Sequence, residues 1–146
     1  MSNLKNKKGF TLIEILVVCA IIGVLAAIVI VNTARARERS NYSKVFSDMA
    51  EIEKAVSLYY IKMDVYPAEA STTSTLPPSL SNYLPKWPVS PCTGYSYDYD
   101  NQASTKTVLY VKGGTEIIYF KPIAGVYSSL GAKDITSAGE RITCKE

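Results

Sequence analysis

The sequence contains no histidine. That removes Ser-His-Asp triads, Cys-His dyads and every histidine-ligated metal site. Phenylalanine is scarce, tryptophan occurs once, and no proline precedes Pro67. No nucleophile–base pair and no phosphate-cradling glycine loop emerge from the remaining residues, so neither an enzyme nor a cofactor is expected. The first nine residues carry no acid, yet they include Lys5, Lys7 and Lys8. The formal charge of +3 resides in those three lysines, and the rest of the chain balances at 13 basic and 13 acidic side chains. A chain that is neutral beyond its leader argues against a nucleic-acid partner. Asp98, Asp100 and Asn101 are the clustered oxygen donors, but the glycine and closing glutamate of a calcium loop are missing around them. They read as the polar face of a strand, and no metal is expected.

Against these absences stands one long apolar run, Phe10 to Val31, interrupted by a single acid, Glu14. As a helix it would be about 33 Å long, enough to cross a bilayer core. Three readings compete. A secretory signal has a shorter apolar stretch and a cleavage site after it. A plain single-pass anchor explains the length but not the acid, because a carboxylate within a membrane is costly and wants a cationic partner.

The third reading rests on Lys7-Lys8-Gly9-Phe10-Thr11-Leu12-Ile13-Glu14. This stretch resembles the leader signal of type IV prepilins and type II secretion pseudopilins. The resemblance implies that a prepilin peptidase cuts between Gly9 and Phe10 and methylates the new amine of Phe10. It implies an assembly role for Glu14, which would meet the Phe10 amine of a neighbouring subunit inside an apolar bundle and set the register between them. Gly23 also matches a glycine common in the family's helix. One departure is Val31, where family helices often carry proline. Ile28, Val29, Ile30 and Val31 are weak helix formers but not breakers. Arg35, Arg37 and Arg39 follow at alternate positions, so both flanks of the run are basic. The resemblance places the leader in the cytoplasm and the C-terminal part outside, with the arginines reaching lipid head groups.

Residues 40–65 show apolar positions Tyr42, Val45, Met49, Ile52, Val56, Tyr59 and Met63, spaced by three and four, widened by Phe46 and Tyr60. That is the period of an amphipathic helix, with Asp48, Glu51, Glu53 and Lys54 on its other faces. Tyr66-Pro67 stops it. Residues 67–91 hold six of the seven prolines and form an irregular excursion, with a short helical turn within 78–84. Trp87 either pins this loop to the domain or serves an interface.

From Gly94 the period becomes two. Tyr95, Tyr97 and Tyr99 predict a strand with one aromatic face, and Thr107–Lys112 and Thr115–Lys121 a hairpin turning at Gly113-Gly114. Arg141–Cys144 reads as a short edge strand or a tail. Cys19 lies in the apolar run as a small hydrophobe. Cys92 and Cys144 are either a disulfide, if the domain is exported, or two buried thiols.

The expected fold is α+β: one long N-terminal helix packed on a small antiparallel sheet, the pilin architecture that the resemblance implies. The expected segments are a leader at 1–9, a transmembrane and polymerising half at 10–33, an amphipathic half at 34–66 and a head at 67–146. The partners implied are copies of this chain, other pilins, the prepilin peptidase, an inner-membrane assembly platform and the bilayer. A non-polymerising anchored adhesin, or a minor pilin for DNA uptake, is the competing reading.

Overall fold

The computed structural model describes residues 9–70, 74–112, 116–126, 131–136 and 141–144. The chain divides into two units, Met1–Arg37 and Glu38–Glu146. The first consists of the start of helix α1 (Leu12–Met63), whose backbone stays helical through Val31. Every side chain from Leu12 to Val29 is exposed. This segment is long and apolar enough to cross a membrane. Helix α1 ends at Met63, before the Tyr66-Pro67 stop, because Asp64 adopts a left-handed φ of 56° and its N–H bonds to Tyr60 O. Aspartate tolerates that conformation better than most residues.

In the second unit the amphipathic stripe is real but narrower than the spacing predicts. Val45, Met49, Ile52, Ala55 and Val56 are fully or almost fully buried. Tyr42 and Tyr59 lie half-buried against this core. Met63, at the stripe's end, is instead exposed, since the helix has by then passed the elements that would cover it. Asp48, assigned to a polar face, is buried. Its carboxylate accepts from Lys44 Nζ at 2.5 and 2.6 Å and from Tyr97 Oη at 2.7 Å. A buried carboxylate is tolerated there because a cation and a phenol donor both reach it.

Among the described residues four strands follow: β1 (Tyr95–Gln102), β2 (Thr105–Lys112), β3 (Glu116–Ala124) and β4 (Lys133–Asp134), in sheet order β1-β2-β3-β4. The first three pair antiparallel, while β4 runs parallel to β3 through Tyr119 and Phe120. The hairpin turn at Gly113-Gly114 lies outside the described residues. A second tight turn, Ala103-Ser104, joins β1 to β2. Strand β3 runs three residues beyond Lys121 and includes Pro122. A proline fits there because it sits at a register irregularity opposite Thr107 and beyond the reach of β4. Of the two readings for Arg141–Cys144, edge strand or tail, the tail forms, without regular secondary structure. The short edge strand comes earlier, at Lys133–Asp134.

The alternating tyrosines bury Tyr97 and Tyr99. Tyr110, across from Tyr97 on β2, stacks between Tyr95 and Tyr97 with ring centroids 5.3 Å apart in each case. Burial pushes the Tyr110 phenol up to about 12 and raises Tyr97 further, where the Asp48 carboxylate adds to the effect. Both therefore remain neutral, and Tyr97 is the donor to Asp48. The proline-rich segment carries a 3-10 turn at Pro78–Leu80, within the predicted stretch. Trp87 is buried and its indole N–H donates to Tyr97 O at 3.2 Å, so it pins the loop to β1.

Candidate processing and assembly site

The chemistry-bearing residues of the N-terminal unit lie within six positions. Gly9 and Phe10 precede the helix in exposed, non-helical backbone. Phe10 is 83% exposed. A peptide bond at such a junction is open to a protease, because no helical hydrogen bond must break first. Residues 1–8 of the expected leader 1–9 lie outside the described residues.

Helix α1 begins with a reciprocal cap. The Thr11 N–H donates to Glu14 Oε2 at 2.8 Å, and the Thr11 hydroxyl also reaches Glu14 Oε2, at 2.7 Å. In return Glu14 N–H approaches Thr11 Oγ1 at 3.3 Å. This is a capping box, in which the first residue before the helix and the third residue inside it satisfy each other's backbone donors. Glu14 therefore has a partner within its own chain, where the sequence suggested a carboxylate waiting for a cation. Thr11 is the residue that reasoning overlooked. Its signal was present as Thr11-Leu12-Ile13-Glu14, the Thr-x-x-Glu spacing just ahead of an apolar run. Both Thr11 bonds fall on Oε2 and neither on Oε1, so the carboxylate keeps an oxygen for a further donor. The helix dipole also favours an anion here.

In the head, Cys92 and Cys144 form a disulfide with a Cα–Cα distance of 5.2 Å, and Cys19 is free. Asp98 and Asp100 stay on the polar face of β1 and are half-buried. Asp98 accepts from the Tyr99 N–H at 3.0 Å. Burial, and then the Glu69 carboxyl beside it, push Asp100 up to about 6. Glu69 itself accepts from the Asn101 N–H at 2.6 Å. Among the described residues no group of three or more acidic or cysteine side chains is arranged to hold a metal ion.

Residues 4–30 match the family described as the prokaryotic N-terminal methylation motif. The type II secretion system core protein G of Vibrio cholerae is 31% identical over 121 residues, which span 74% of this chain and 80% of that protein. The chain belongs to the pilin and pseudopilin family. The core protein G of Escherichia coli is 37% identical over 84 residues, covering 53% of this chain and 58% of that protein. The type IV wide pilus major component PilA4 of Thermus thermophilus is 38% identical over 73 residues, covering 50% and 56%. Against these two relatives the chain spans little more than half their length. No solved structure matches significantly. The long apolar helix and small sheet are the α+β architecture of this family, and the matched motif covers Gly9, Phe10, Thr11 and Glu14 together.

Proposed function

We propose that the chain is a structural subunit of a pseudopilus or type IV pilus. A prepilin peptidase removes residues 1–9 and methylates Phe10, and the subunit then polymerises through the apolar half of α1. The observation that carries this reading is the exposed apolar face of Leu12–Val29, headed by Glu14 on the first helical turn. Water is a poor solvent for such a segment, so it belongs in lipid before assembly and among neighbouring helices after it. Cleavage would leave a cationic amine on Phe10, one residue ahead of Thr11. In a bundle, that amine on one subunit and Glu14 on the next would neutralise each other where water cannot. The Vibrio relative, matched over 80% of its length, carries a type II secretion name, which favours the pseudopilus. The partners are then copies of this chain, other pilins, the peptidase, an inner-membrane assembly platform and the bilayer. The head lies on the outer side of the cytoplasmic membrane.

Intact-mass and N-terminal sequencing of the protein from its own cells test the processing step. A chain starting at N-methylated Phe10 supports it, and a chain starting at Met1 or Ser2 returns the protein to a plain membrane-anchored binding module. Assembly is tested separately. Glu14→Leu should leave processed subunit in the membrane while filaments disappear. Normal filament yield from that variant, without wild-type subunit present, would sink the pairing mechanism.

A further inference from the structure

The two sulfurs of the disulfide stand in opposite surroundings. Cys92 is 2% exposed and belongs to the hydrophobic core, whereas Cys144 is exposed. Cys144 ends a strap, residues 141–144, laid along the head's first turn of α1. Ile142 is buried in the core, and its N–H donates to Glu38 O at 3.2 Å. Thr143 Oγ1 donates to Glu38 Oε1 at 3.1 Å, and Arg141 lies 3.6 Å from the same carboxylate. Asn41 Nδ2 reaches both Ile142 O, at 3.4 Å, and Cys144 Sγ, at 3.1 Å.

A thiolate breaks a disulfide by approaching one sulfur along the S–S axis, from the side opposite its partner, so access decides which sulfur is attacked. Cys92, 2% exposed within the core, is closed to such a reagent, whereas Cys144 is exposed to solvent. We propose that Cys144 is the entry sulfur for thiol–disulfide exchange with a dithiol partner, and that exchange at this atom fastens or releases the strap on α1.

On opening, the partner's thiolate bonds to Cys144 Sγ and the Cys92–Cys144 bond breaks. The electron pair leaves on Cys92 Sγ, which takes a proton from water. The partner's second thiolate then attacks its own sulfur in the mixed disulfide, expelling the Cys144 thiolate. The partner departs as a disulfide, oxidised by the two electrons that the protein has gained. Closing is the exact reverse, and here the asymmetry helps. Cys144 is again the exposed sulfur, the one that must capture an oxidised partner, and Asn41 Nδ2 holds it at 3.1 Å.

The test uses the full chain in detergent. Brief exposure to reduced glutathione, an acid quench and non-reducing peptide mapping should place the mixed disulfide on Cys144 at least about tenfold more often than on Cys92. Adducts shared equally, adducts on Cys92, or a bond that resists glutathione altogether would each overturn the assignment. After full reduction with dithiothreitol, hydrogen exchange at the Ile142 amide should accelerate. Unchanged protection there would refute control of the strap.

Discussion

Leu12–Val29 and Val45–Val56 lie on one continuous helix and are both rich in aliphatic residues, yet their side chains have opposite fates. In the first stretch every residue is exposed, and the polar contacts concentrate at its start, in the Thr11–Glu14 cap. In the second, five apolar residues are buried, and so is Asp48, tied to Lys44 and Tyr97. The difference teaches that apolarity alone does not mark a core. A run that is apolar all round has no polar face to turn toward water, so its counterpart must come from lipid or from other chains. A stripe with a polar back finds its counterpart in its own sheet.

The sharpest way to break this comparison is to shorten one side chain in each stretch. Met49 is fully buried, so Met49→Ala should lower the head's unfolding free energy by about 2–5 kcal/mol. Val24 is 64% exposed, and Val24→Ala should leave the head's melting temperature where it is. Thermal melts of both variants in detergent, followed by near-ultraviolet circular dichroism of the tyrosines, give the answer. Equal shifts in the two variants would mean that the stretches are not energetically separate.

Most of this division was legible in the sequence, and the exceptions have physical causes. The 52-residue helix announces itself by its lack of proline and, from Tyr42 on, by period, and alternating tyrosines announce β1. The buried acid at Asp48 was not legible, because its phenol partner lies 49 positions away. Strand β4 has only two residues, too few for any alternation to show. The spacing left Arg141–Cys144 open as an edge strand or a tail, and the tail is what forms. Ile142 and Thr143 are good strand formers, but their partners are the backbone and side chains of Glu38 and Asn41 on a helix. At the candidate assembly site the Thr-x-x-Glu spacing was visible, but the resemblance bears on the acid and says nothing of its cap.

A smaller effect sharpens the account of the second stretch. Tyr97→Phe keeps the ring and removes the donor that reaches Asp48 Oδ2. The carboxylate then stays buried with Lys44 alone, and the loss should be about 1–3 kcal/mol. Urea titration checks it, and no change would mean that water replaces the phenol. Trp87→Phe should cost less, about 0.5–1.5 kcal/mol for the hydrogen bond, because Tyr97 O still accepts from the Ser74 N–H at 3.0 Å.

The smallest effect concerns pH and belongs wholly to the head. Asp100 is held up near 6 against an ordinary value of 3.8, first by burial and then by Glu69, with Asp98 adding to the rise and Lys106 opposing it. A folded-state value above the unfolded one means that the folded chain keeps a proton that the unfolded chain has released. Asp100 therefore adds stability below about pH 4, and that contribution is lost as pH rises toward 6. Because the carboxyl remains partly open to solvent, screening keeps the change small. Asp100→Asn should flatten this part of the stability–pH curve and leave the variant slightly more stable than wild type at pH 7. Urea midpoints at pH 4.5 and 6.5 decide the matter. An unchanged pH slope in the variant would show that Glu69 and Asp100 move apart in solution and do not share a proton.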